Sequence, residues 1–259
     1  MALGSGHVRA GSEILTETDK ITPEKLQERL APSLLLLPGL DGTGKLFAQF
    51  VKALGLAIDS QIVKYPVDQR LGYGELEQLV RAELPAERRY VLLGESFSGP
   101  IAIRIGADPP PGLIGIILCV TFAKNPYPLL GWARPFAAHL PVKSLPRWVR
   151  APFMWGAADP NRAPAKVDRA TAAVDDAVLR HRIAALLAVD ETAALARIQL
   201  PILVLRATGD HVIPYAAARH MLRTQPRAQH IEIDGPHLLL QTRPDECRAA
   251  VTRFMQTLG

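Results

Sequence analysis

The chain has 259 residues, of which 48% are hydrophobic and 21% charged, with a formal net charge of +5. That length and apolar content suit a soluble globular protein with one sizeable core, or one core carrying an inserted subdomain. The basic excess is scattered, Arg88-Arg89 being its only adjacent pair, and no aromatic residues interleave a basic stripe, which argues against a nucleic-acid partner.

The first twenty residues carry charges throughout and lack the apolar core of a secretory signal, so a cytoplasmic protein is expected. The longest apolar runs are far too short to span a bilayer. Residues 1–32 give only weak signals and read as a loosely attached extension. From there short apolar runs alternate with helical patterns. Strands are expected over 34–37, 61–65, 90–93, 113–120, 202–206 and 229–233, and helices over 45–54, 73–84, 98–106, 215–224 and 238–258. Near-continuous apolar strands alternating with helices imply an α/β fold, a mostly parallel, doubly wound sheet covered on both faces. The two cysteines, Cys119 and Cys247, fall in apolar contexts and are expected to be buried free thiols.

The alternation breaks over residues 123–198. Strand signals are absent there, and Val174, Val178, Ile183, Leu186 and Leu187 fall mostly on one helical face. Trp132, Trp148 and Trp155 all lie in this stretch, with Phe136, Phe153 and Met154. Prolines at 126, 128, 135, 141, 146 and 152 cut its first half into short pieces. The segment reads as a helical cap over the strand ends, inserted between core parts 33–122 and 199–259. Its aromatics either pack on one another or wall an apolar substrate pocket.

The chemistry centres on Gly94-Glu95-Ser96-Phe97-Ser98-Gly99, which follows a buried strand and precedes an apolar helix. Such a strand–turn–helix elbow holds its central serine at the tip of a strained turn, hydroxyl exposed. Small residues two before and two after are needed because the backbones nearly touch. Gly94 meets the first need. Ser98, backed by Gly99, replaces the usual second glycine.

A serine hydroxyl needs a general base within reach and a third group to orient that base. Of seven histidines, His237 is distinguished by its position in a loop at a strand's carboxyl end, after Asp234-Gly235-Pro236. Asp210 occupies the equivalent loop after the preceding strand and is the favoured orienting acid. Asp190 reads instead as a helix-capping residue, and Asp234 as a turn residue. Two backbone N–H groups should hold the developing oxyanion. Phe97, directly after the serine, supplies one. The loop Pro38-Gly39-Leu40-Asp41-Gly42-Thr43-Gly44 supplies the other, with Leu40 preferred and Asp41 second.

These motifs together resemble the α/β-hydrolase superfamily over roughly residues 33–258. The resemblance rests on the Pro38-Gly39-Leu40 loop, the Gly94–Gly99 elbow, Gly209-Asp210 with Pro214, Gly235-Pro236-His237, and Pro244-Asp245-Glu246 in the last helix. The order Ser, Asp, His is that of the superfamily. The resemblance implies a Ser96–His237–Asp210 triad and a helical cap inserted after the sixth strand. It departs at Pro38-Gly39, where many members have His-Gly, and in lacking a clear counterpart of the family's opening antiparallel strands.

The expected activity is that of a serine hydrolase cleaving carboxylic esters through an acyl-enzyme on Ser96, with a small-molecule ester carrying an apolar acyl or alcohol group as substrate. Thioesterase or acyltransferase chemistry on the same three residues is the neighbouring reading. The basic excess is compatible with an acidic partner such as an acyl carrier protein, although the charge balance alone does not argue for one. Gly39 to Lys45 also has the spacing of a phosphate loop, yet Leu46 stands where that motif needs Ser or Thr for magnesium. A non-catalytic hydrolase-like binding protein is the remaining alternative. No cofactor or metal is expected, since the histidines are dispersed and the cysteines do not pair at ligand spacing.

Overall fold

The computed structural model describes residues 31–130, 132 and 164–258. In chain order these form β1 (Ser33–Leu37), α1 (Ala48–Leu54), β2 (Ser60–Ile62), α2 (Tyr73–Ala82), β3 (Tyr90–Glu95), α3 (Gly99–Ala107) and β4 (Leu113–Cys119). After the insertion come α4 (Pro164–Ala172), α5 (Asp176–Leu186), α6 (Thr192–Arg197), β5 (Ile202–Gly209), α7 (Tyr215–Thr224), β6 (Gln229–Pro236), α8 (Leu239–Thr242) and α9 (Pro244–Gln256).

The six strands make one sheet in the order β2-β1-β3-β4-β5-β6, and every neighbouring pair is parallel. The expected doubly wound sheet is present. Its two faces follow from the alternation of side chains along a strand. Leu35, Leu37 and Leu92 join one apolar cluster, with residues of α2, α3 and α7. Leu34, Leu36, Val91 and Leu93 join the other, with Phe50 of α1 and Val251 and Phe254 of α9. A fully buried leucine contributes about 1.5–3 kcal/mol, so a strand such as β1, apolar on both faces, is held from both sides.

Several boundaries differ from the sequence expectation for physical reasons. The expected helix over 238–258 is two helices, because Pro244 cannot continue α8 but suits the first turn of α9. The expected helix over 98–106 begins as a tight 3₁₀ turn, Ser96–Ser98, and becomes α3 at Gly99. Both β5 and β6 run three residues further than expected, to Gly209 and Pro236. Asp234 therefore lies within edge strand β6 rather than in a turn, and its carboxylate accepts a hydrogen bond from Thr208 Oγ1 at 3.0 Å. Counted among the described strands, the long insertion follows the fourth.

Cys119 and Cys247 are buried and unpaired. Burial raises the Cys119 thiol well above its ordinary range and pushes Cys247 up to about 12, so both behave as small apolar groups. Trp132 is exposed. Trp148, Trp155, Phe136, Phe153 and Met154 lie outside the described residues. Among those described, no helix is long and apolar enough to cross a membrane.

Candidate active site

The site begins where β3 ends. Ser96 turns the chain with φ of 50°, a left-handed conformation that costs a non-glycine residue energy and persists only when its surroundings enforce it. The enforcement is steric on both sides. A Cβ on Gly94 would lie 2.7 Å from the Ser98 carbonyl oxygen, and one on Gly99 would lie 2.0 Å from Thr121 Oγ1. Thr121 is itself held, since its hydroxyl donates to the Ser96 carbonyl.

Ser98, which replaces the expected glycine, does more than stay small. It is wholly buried; its hydroxyl donates to the Pro38 carbonyl and accepts from the Tyr65 hydroxyl at 2.6 Å. The elbow is thereby tied to the loop that follows β1. The motif signalled only the size of residue 98, and Tyr65 carried no signal at all.

Sheet register brings the other two residues together. Gly209 on β5 is the partner of Pro236 on β6, so the next residues on each strand, Asp210 and His237, emerge side by side at the carboxyl edge. His237 Nδ1–H donates to Asp210 Oδ2 at 2.9 Å. His237 Nε2 is left to accept from the Ser96 hydroxyl at 3.0 Å. The second Asp210 oxygen, Oδ1, accepts the N–H groups of Val212 and Ile213, each at 2.8 Å. Both side chains of the His–Asp pair are nearly sealed from solvent, at 6% and 3% exposure. A buried imidazole bonded on one side to a carboxylate and on the other to a hydroxyl is arranged to remove that hydroxyl's proton. The rival acid Asp190 sits elsewhere, its carboxylate accepting the Thr192 N–H at the start of α6.

The loop after β1 is fixed through its carbonyls. Pro38 O accepts from Ser98, Gly39 O from the Gly42 N–H at 3.0 Å, and Gly42 O from the Tyr65 N–H at 2.9 Å. Leu40 O and Asp41 O both accept from Arg182 Nη1, at 2.8 and 3.0 Å. Among the described residues no hydrogen bond uses the Leu40 N–H. The Asp41 carboxylate turns back to Thr43, and burial raises its pKa. Phe97 stands in the first turn after β3, where backbone N–H groups lack intrahelical partners. Backbone N–H groups beside a base-activated hydroxyl can stabilise the oxyanion that develops on an acyl carbonyl under attack.

One further ionisable group borders the site. Glu95 is 4% exposed and is pushed up to about 7, chiefly by burial. Gln241 Nε2 donates to its Oε1 at 2.9 Å, and the Gly39 N–H, His237 and Asp41 act on it as well. Because its folded pKa exceeds the ordinary carboxyl value of 4.5, the folded state holds the extra proton between these limits. Stability should therefore fall as pH rises from about 4.5 to about 7, by an amount on the order of 2–3 kcal/mol. Glu95→Gln should remove the Glu95 share of that decline, leaving a shallower fall of the denaturant midpoint across the interval and a higher midpoint than wild type at pH 8. A variant that kept the wild-type slope would assign the effect to another group.

Arg182, Tyr65, Thr121, Glu95 and Gln241 escaped the sequence reading. Only Arg182 left a trace, lying four residues after Val178 and so on the same helical face.

Residues 25–250 match the model of a family described as the alpha/beta hydrolase family. The chain is 36% identical over 83 residues to phytyl ester synthase 1 of Arabidopsis thaliana, a match covering 30% of this chain and 12% of that one. It is 25% identical over 276 aligned positions to the polyketide synthase ThaQ of Burkholderia thailandensis, covering 94% of this chain and 13% of that one. The chain thus spans about an eighth of the length of the curated relatives it matches. Among solved structures, the enol-lactonase from Burkholderia xenovorans LB400 superposes with a TM-score of 0.73 at 19% identity, covering 87% of this chain and 92% of the other.

Proposed function

The chain belongs to the alpha/beta hydrolase family, and from that premise we propose that it is a serine hydrolase cleaving carboxylic esters. The hydrogen-bond chain from Ser96 through His237 to Asp210, at 3.0 and 2.9 Å, carries this reading. His237 Nε2 takes the proton as Ser96 Oγ attacks the acyl carbonyl, and Asp210 stabilises the imidazolium that forms. The N–H groups of Leu40 and Phe97 hold the tetrahedral oxyanion. His237 then gives its proton to the departing alcohol. Water, deprotonated by the same imidazole, releases the acid and restores the hydroxyl.

Residues 123–198 act as a cap whose apolar side chains select an apolar acyl or alcohol group. Support for the cap's position comes from α5. Val174, just before it, and Val178 and Leu179 within it pack against Leu40. A second reading, transfer of the acyl group to an alcohol in place of water, draws on the segment similar to phytyl ester synthase. It uses the same acyl-enzyme and differs only in the acceptor.

The test is a panel of p-nitrophenyl esters of increasing acyl length, with and without a long-chain alcohol, alongside a fluorophosphonate probe. Turnover that rises with acyl length, with one probe adduct on Ser96, is expected. A protein inert to every ester and unlabelled by the probe would refute the assignment. A product that shifts from free acid to long-chain ester when alcohol is added would favour the transfer reading.

A further inference from the structure

Among the described residues Arg182 is the bulkiest fully buried side chain, yet none of their carboxylates lies within ion-pair distance of it. A guanidinium withdrawn from water is costly unless its donors are satisfied. Here Nη1 donates to Leu40 O at 2.8 Å and Asp41 O at 3.0 Å, and Nη2 donates to Pro66 O at 2.9 Å, while Nε has no hydrogen-bond partner among the described residues. The charge lies 5.7 Å from the Tyr65 ring centre, and burial lowers its pKa. A Cβ on Gly42 would meet Nη1 at 2.6 Å, so the loop is packed directly on the guanidinium. The side chain reaches this position from α5, in the insertion, 142 residues from Leu40 in sequence.

The consequence follows from peptide geometry. In a planar trans peptide the C=O and N–H point in opposite directions. Fixing Leu40 O and Asp41 O fixes the two peptide planes that follow Leu40. The plane before it is held by the Gly42 N–H on Gly39 O. With all three planes fixed, the Leu40 N–H has one direction, outward from the turn.

Building on the serine-hydrolase reading above, we infer that Arg182 is a positioning residue: from the insertion helix it clamps the Leu40 and Asp41 carbonyls so that the Leu40 N–H remains aimed at the reacting acyl oxygen. Lysine cannot replace it, because an ammonium lacks the planar fork that reaches three carbonyls at once. The clamp also makes the insertion part of the transition-state machinery, since loss of α5 would free the loop.

The experiment compares Arg182→Lys and Arg182→Met with the wild type in three measurements. These are kcat and KM for p-nitrophenyl acetate, affinity for a trifluoromethyl ketone that mimics the tetrahedral adduct, and amide hydrogen exchange over residues 39–43 in the free protein. Arg182→Met should lower kcat about 100-fold, the effect of losing one oxyanion donor, with KM changed less than about three-fold. Ketone affinity should fall in parallel, and exchange at Gly42 and Thr43, the hydrogen-bonded amides of the loop, should quicken. Arg182→Lys should retain the fold, which covers the case in which Met does not, and still lose about ten-fold or more in kcat. A purely structural arginine would lower thermal stability while leaving kcat and ketone affinity of the folded protein unchanged, and that result would overturn the inference. Should the wild type prove inert to esters, the exchange measurement still decides: unchanged protection at Gly42 and Thr43 in both variants would refute the clamp independently of the reaction.

Discussion

Ser96→Ala should abolish ester turnover, lowering kcat by about 10⁴ to 10⁶-fold, with a modest loss of stability. Removing the Oγ deletes the nucleophile itself, so no rearrangement of His237 restores the acyl-enzyme route. Residual activity should remain above the uncatalysed rate, since the proposed Leu40 and Phe97 donors would still polarise a bound carbonyl for attack by water. The turn at φ of 50° is imposed by the close packing of Gly94 and Gly99 and by the Thr121 bond to the Ser96 carbonyl. None of these depends on the serine hydroxyl. The variant gives up one hydrogen bond, from Ser96 to His237, and should therefore unfold within about 1.5 kcal/mol of wild type. The check is single-substrate kinetics with p-nitrophenyl butyrate on material whose urea midpoint has been measured. Turnover within ten-fold of wild type would remove Ser96 from the mechanism.

Asp210→Asn should cost about 10⁴-fold in kcat, a loss out of proportion to exchanging one oxygen for an amide nitrogen. The reason lies in which oxygen does what. Oδ1 accepts two backbone N–H groups, from Val212 and Ile213 at 2.8 Å each, while among the described residues Oδ2 accepts only from His237. An asparagine would keep its carbonyl oxygen on the two backbone donors, because turning it over would set an NH₂ against two N–H groups. Its NH₂ would then face His237 Nδ1 and donate to it. The imidazole proton would be driven to Nε2, which would point a donor at Ser96 where an acceptor is required. The fold should survive, and fluorophosphonate labelling of Ser96 should slow in parallel with kcat. An Asn variant with near-normal rates would mean that Asp210 does not set the tautomer.

Much of this arrangement could be read along the chain. The alternation of apolar runs with helical patterns, the small residues around Ser96, and the positions of Asp210 and His237 just beyond strands were all legible. Each is a local pattern of period, size or backbone preference. Boundaries were less so. Strands β5 and β6 run three residues past the apolar runs that announced them, carried by their mutual ladder rather than by side-chain type. The single helix expected at the end divides at Pro244.

The sequence by itself determined the chemistry on offer: a serine on a tight turn, a histidine and an aspartate after successive strands, and apolar strands that must be covered on both faces. These follow from rules that act over a few residues. Only the tertiary structure decided how the parts bear on one another. The register of Gly209 with Pro236 sets Asp210 beside His237. Ser98 and Tyr65 tie the elbow to the β1 loop, and Arg182 reaches the same loop from the insertion. Such contacts join residues from about 30 to more than 140 positions apart, and a buried hydrogen bond between them leaves no period or composition to detect in either segment.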